Sequence, residues 1–150
     1  SVPAMEALMM EAMQEAEKPE YTDDDYEYAA RFAADQASPA IDTAILPADQ
    51  SINLGSTDVG DVSWIVPTVH LNIPTFAAGT ALHSWQAAAQ GKSSIAHKGM
   101  LYAAKIMALT AIDFLQKPEL VNKAREELTK TLNGETYPNP LPKDLKPEIW

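Results

Sequence analysis

Three histidines are the residues best suited to do chemistry in this chain: His70, His83 and His97. There is no cysteine, so a metal would have to be held by His, Asp or Glu, and disulfides are excluded. His70 alternates with Val69 and Leu71 in a run that reads as a strand, and is expected to be partly buried and structural. His83 follows an apolar run, Gly79 and a short loop, a position where α/β enzymes place functional groups. A neutral imidazole there is a good metal ligand. His97 falls in the first turn of an apolar helix, where a histidine is structural or sits beside free N–H groups that bind an anion. Nucleophilic machinery is lacking: no Gly-x-Ser-x-Gly elbow, no His-Glu-x-x-His pair and no phosphate-binding glycine loop. Two metals need about five ligands, more than three scattered histidines supply.

The elements that must position these residues follow from periodicity and punctuation. Residues 4–17 are strong helix formers with Met5, Leu8, Met9 and Met13 in one stripe, and Pro19 ends the helix. Thr22 is an N-cap for a helix to about Gln36, with Asp23, Asp24 and Asp25 in its first turn. That acidic triplet lacks the alternation and glycine of a calcium loop, so capping explains it. Residues 37–61 carry Pro39, Pro47, Gly55 and Gly60 and read as irregular, and long loops of this kind are often functional. Within it, small residues near Asp58 and Asp61 would let backbone approach a ligand. β-branched runs bounded by Pro67 and Pro74 predict short strands near 63–66, 68–73 and 75–78. Ser93 or Ser94 caps a helix from about Ile95 to Gln116 that is apolar nearly all round, and hence expected to be buried on a sheet. Pro118 opens a last amphipathic helix to 132, and Asn133-Gly134 stops it ahead of an extended tail. The expected class is α/β, with helices packed on a short, mostly β-branched sheet.

Net charge is −10 over 150 residues, and it is uneven. Residues 1–61 hold 14 acids and two bases; residues 62–150 hold seven acids and nine bases. That balance argues against nucleic acid and anionic membrane as partners. No apolar run is long enough to span a bilayer, and the first residues do not read as a signal peptide. Absence of Cys fits a cytoplasmic protein. Residue 1 is not Met, which fits a chain internal to a longer protein.

Gly55-Ser56-Thr57-Asp58-Val59, then Val66-Pro67, then Gly79, then Leu82-His83-Ser84, resembles the final conserved block of the M20 metallopeptidases and amidohydrolases. The branch with aminoacylase-like and auxin-conjugate hydrolases has Gly-Ser-Glu-Asp-Phe, a Val-Pro strand, a glycine and Leu-His-Ser there. The runs Ser56–Trp64 and Gln90–Met100 are similar to members of that family, and the likeness covers roughly residues 3–132. The resemblance implies the carboxy-terminal part of a zinc-peptidase-like catalytic domain, with the family's inserted lid absent. Residues 1–37 would be the helical segment after the lid, 38–61 a loop, 62–92 the strands and metal-ligand loop, 93–132 two helices and 133–150 an extended tail. It implies two divalent metals, zinc or manganese, with His83 as a ligand. Thr57, Asp58, Asp61, Gly79, Ser84 and His97 would line the site or stand behind it. Catalytic residues are expected in the family's first half and none in this chain. Thr57 departs from the family's Glu, and Trp85 from a common Pro, which leaves substrate contacts open. The implied reaction is hydrolysis of N-acyl or N-aroyl amino acids such as p-aminobenzoyl-glutamate. It would need the rest of the catalytic domain, and a related subunit or a homodimer. A non-catalytic binding or assembly module is the alternative, since most ligands are missing.

Overall fold

The computed structural model describes residues 2–33, 39–48, 57–142 and 144–146. Six helices follow one another among them: α1 (Pro3–Glu15), α2 (Asp23–Ala30), α3 (Val59–Ser63), α4 (Trp85–Gln90), α5 (Ser94–Gln116) and α6 (Pro118–Leu132). None is long and apolar enough to cross a membrane.

The helix ends are where local chemistry puts them. Thr22 and Asp25 form a reciprocal capping box: the Asp25 amide donates to Thr22 Oγ1 at 3.3 Å, and the Thr22 amide donates to Asp25 Oδ2 at 2.8 Å. Ser93, not Ser94, caps α5, accepting from the Ala96 amide at 3.1 Å. Asn133 (φ 47°) and Gly134 (φ 85°) turn left-handed and stop α6. Val2 brings no side-chain cap to α1, and Glu127 of α6 supplies one by accepting from the Ala4 amide at 2.8 Å.

Two clusters make the core. In one, Met9, Ala12 and Ala16 at the α1 end meet Tyr102 and Ile106 of α5, with Val69, Leu71 and Ile73 packed against them. The Tyr102 hydroxyl donates to the Met13 carbonyl at 2.8 Å, so α1 and α5 are joined by a directional bond as well as by apolar area. In the other, Ala29 of α2 meets Ile41, Ala77 and Ile95. Asp25 ties α2 to α5 through Lys98 Nζ at 2.5 Å, with the Asp25 side chain only 5% exposed.

The expected α/β class is overturned, because the described residues contain no strand and no sheet. Residues 67–75 keep the alternation of a strand, with Val69, Leu71 and Ile73 against the core and His70 and Asn72 exposed. What they lack is a ladder: a strand exists only with a hydrogen-bonded neighbour, and the described chain offers none. The contact nearest to one is the Val2 amide donating to the Thr68 carbonyl at 3.2 Å. Residues 63–66 are not a strand either. Thr57 Oγ1 accepts from the Val59 amide, and Ser63 Oγ donates to the Gly60 carbonyl at 2.6 Å. These local bonds favour the short helix α3 and the turn after it over the β preference of the valines. Residues 75–78 bend, and the Ala78 amide donates to the Ala40 carbonyl.

Two further expectations are corrected. His70 is exposed rather than partly buried. α5 is buried on one face only: Ile95, Gly99, Tyr102, Ile106 and Thr110 turn inward, while Met100, Leu101, Met107, Ile112 and Leu115 face out, Leu115 at 85% exposure.

Candidate functional site

The loop carrying His83 is built from both sides. Gly79 turns at φ 76°, and Thr80 Oγ1 donates to the Ala77 carbonyl at 2.7 Å. Downstream, Ser84 caps α4, accepting from the Ala87 amide at 3.2 Å, while its hydroxyl donates to the Ala81 carbonyl at 2.6 Å. Between these closures His83 takes φ 57°, an uncommon conformation for a residue with a Cβ, and its side chain is exposed. Non-glycine residues held there cost of order 1–3 kcal/mol and cluster at ligand and active sites.

Gln90, at the end of α4, locks this loop and is completely buried. Its Oε1 accepts from the Ala77 amide at 2.8 Å; its Nε2 donates to Thr80 Oγ1 at 3.1 Å and to the Gln86 carbonyl at 3.2 Å. Nothing in the sequence singles out Gln90, since a buried amide looks like a surface one until its partners are placed. Gln90→Leu strands a buried Ala77 N–H and is expected to cost about 2 kcal/mol. Urea denaturation measures that, and the Ala77 amide should exchange faster; a variant as stable as the parent would remove the locking role.

Gly79, His83 and Ser84 thus share one turn. Thr57, Asp58 and Asp61 lie at the start of α3, all exposed. Asp58 is the N-cap of α3 without a side-chain cap bond. Asp61 accepts a hydrogen bond from Tyr137; burial first, then this bond and the carboxylate charge, push the Tyr137 hydroxyl up from its ordinary value. Among the described residues no hydrogen bond or ion pair links the α3 group to His83, and no three His, Asp or Glu come together to hold a metal. Gly55 and Ser56 of the motif lie outside the described residues. His97 is exposed on the outer side of α5, with Met100 and Leu101. Its amide donates to the Ser93 carbonyl, and the Ala96 amide is taken by Ser93 Oγ, so these two N–H groups are not free for an anion.

The arrangement offers one open imidazole on a rigid turn, which fits one position of a metal centre and no more. Over 108 residues, the chain is 42% identical to a subunit of the p-aminobenzoyl-glutamate hydrolase of Escherichia coli (strain K12), a match covering 72% of this chain and 22% of that protein. It is 40% identical over 87 residues to the Xaa-Arg dipeptidase of Homo sapiens, covering 57% of this chain and 19% of the relative. The match is to one portion of each of these hydrolases. This agrees with the resemblance to M20 amidohydrolases drawn from the Gly55–Ser84 motifs and the Gln90–Met100 run. The Mus musculus Xaa-Arg dipeptidase matches equally well, at 40% over 87 residues. The chain spans about a fifth of the length of these relatives (22%, 19% and 20%). No family model matches, and no solved structure does.

Proposed function

We propose that this chain is part of a metal-dependent amidohydrolase, and that His83 supplies one ligand to its metal centre. The reaction would add water across the amide C–N bond of an N-acyl or N-aroyl amino acid such as p-aminobenzoyl-glutamate, releasing a carboxylate and an amine. Two divalent ions, zinc or manganese, would when bound polarise the amide carbonyl and lower the pKa of the attacking water. The chain's own part is positional. The Gln90 lock and the Ser84 cap hold the His83 backbone, so the imidazole is presented without the entropy cost of ordering a loop on binding. The observation that carries the reading is this rigid, exposed, left-handed histidine in a chain 42% identical to a hydrolase subunit.

The remaining ligands and the catalytic carboxylate would come from the rest of the catalytic domain, and the whole would act in the cytoplasm as a homodimer or with a related subunit. Support for a missing layer comes from the outer face of α5, where Met100, Leu101, Met107, Ile112 and Leu115 are all exposed. The same face would serve the alternative, a non-catalytic assembly module.

The test is zinc binding to the 150-residue chain, read by competition with a chromogenic chelator. One weak site is expected, of roughly millimolar affinity, lost in His83→Ala and kept in His70→Ala and His97→Ala. Turnover of p-aminobenzoyl-glutamate by this chain alone is expected to be nil. Undiminished zinc binding by His83→Ala would sink the ligand assignment; measurable turnover would sink the need for further residues.

A further inference from the structure

Beside His83 stands an aromatic side chain that the fold leaves open. Trp85 is the first residue of α4 and is 71% exposed; Leu82, on the other side of His83, is 69% exposed. Trp85 is nonetheless supported. Its ring meets that of Phe32 at 6.5 Å between centroids and 65° between planes, and Phe32 meets Tyr28 at 5.2 Å. Phe32 packs in turn against the cluster of Ala29, Ile41, Ala77 and Ile95, so the support reaches the core and the same Ala77 whose amide Gln90 holds. Local structure does not ask for this tryptophan. Ser84 does the capping and already holds the extended conformation that precedes proline (φ −117°, ψ 159°), and proline is favoured at a first helical position. A braced indole with its ring left open to solvent is suited to stacking on another ring.

We infer that Trp85 is a specificity-determining residue that takes the aromatic ring of an N-aroyl amino acid against its indole, with Leu82 flanking it across His83. This rests on the proposed hydrolase reading and goes beyond it by favouring aroyl over aliphatic acyl groups. In an aroyl amide the ring is bonded directly to the carbonyl carbon under attack. Its receptor must therefore lie beside the residue that holds the metal, and the Cα atoms of Trp85 and His83 are within about 7 Å of each other along the chain. The exposed apolar residues of α5, by contrast, are methionine, leucine and isoleucine, which suit packing but offer no ring to stack on.

The probes are p-aminobenzoyl-glutamate and N-acetyl-glutamate, each titrated without metal into the 150-residue chain. Ligand NMR relaxation reads affinity in every variant, and the Trp85 indole N–H signal reports contact in the parent. p-Aminobenzoyl-glutamate should shift that signal saturably and bind about tenfold tighter than N-acetyl-glutamate. Trp85→Ala, and Trp85→Pro as a variant suited to the first turn of α4, should bind the two ligands equally. Trp85→Tyr should restore most of the preference, and zinc binding that depends on His83 should persist in all three. No saturable shift at Trp85, or an aroyl preference unchanged in both Trp85→Ala and Trp85→Pro, overturns the inference. Zinc binding indifferent to His83→Ala, with the aroyl preference intact, removes the metal-ligand assignment and keeps the aromatic site. Zinc binding lost in His83→Ala, with no aroyl preference in the parent, removes the aromatic site alone.

Discussion

Lys98→Met is expected to lower the unfolding free energy by about 3 kcal/mol at neutral pH, and by less at pH 3. Methionine keeps the length of the lysine stem, so the change isolates the charge. Lys98 Nζ lies 2.5 Å from Asp25 Oδ2 and 5.5 Å from the centre of the Tyr21 ring. Burial alone would raise the Asp25 pKa. The Lys98 ammonium, the Thr22 amide and the Ser94 and Thr22 hydroxyls outweigh it, and bring the carboxyl down from 3.8 to about 2. A folded-state pKa below the unfolded value stabilises at any pH above the unfolded one, here by about 2 kcal/mol. That contribution fades as pH falls from about 4 to about 2. Without Lys98 the buried carboxylate loses its ion partner and its folded-state pKa rises, so the variant forfeits this contribution above about pH 4, and the gap to the parent narrows as pH falls below that. Urea denaturation at pH 7 and pH 3 measures both effects. The double variant Asp25→Asn with Lys98→Met should recover part of the loss, since no buried charge remains. Equal stability for parent and Lys98→Met at both pH values would refute the role given to the pair.

Signals that act within a few residues are legible in the sequence. Thr22 and Ser93 cap where hydroxyls precede helix formers, Pro118 opens α6, and Asn133-Gly134 closes it. Asp25 reads as a capping residue, and it is one; that it also reaches 73 positions ahead to Lys98 cannot be read from any spacing. The expected sheet fails because β-branching reports a fit to a pleated surface, not the presence of a neighbour. Val69, Leu71 and Ile73 have the pleated side-chain pattern and no ladder. The expected burial of α5 fails for a related reason. Its sequence is apolar all round, which implies burial only if every face has a partner, and the described residues cover one side.

The site divides the same way. The Gly79–Ser84 turn is visible as a glycine, a histidine and a capping serine in order, and the structure gathers those three. The α3 group, Thr57, Asp58 and Asp61, comes from the same stretch of motif, yet no bond joins it to His83 among the described residues. Gln90 and Gly99 are not legible as positioning residues. One acts through a buried amide, the other through the absence of a side chain, and each has meaning only against backbone that the sequence does not place.

Gly99→Val is expected to cost about 3 kcal/mol or more, although valine ordinarily suits a helix interior better than glycine does. A Cβ at Gly99 would lie 2.3 Å from the Pro74 carbonyl oxygen and 3.1 Å from Thr75 Cγ2. The first contact is with backbone, so no side-chain rotation relieves it; α5 and the 74–75 segment must separate. That segment leads directly to Ala77, whose amide is held by Gln90, so the strain should reach the lock behind His83. Gly99→Ala should show a smaller loss of about 1–2 kcal/mol, because the helix preference for alanine offsets part of the clash. Gly60 is the control. It sits in α3 with nothing within 4 Å of a built Cβ, and Gly60→Ala should be neutral or stabilising by up to about 1 kcal/mol. Chemical denaturation of the three variants side by side separates close approach from helix propensity. With propensity in control, both alanine variants would gain stability together. With close approach in control, they move in opposite directions, and only the Gly99 variants speed exchange at the Ala77 amide.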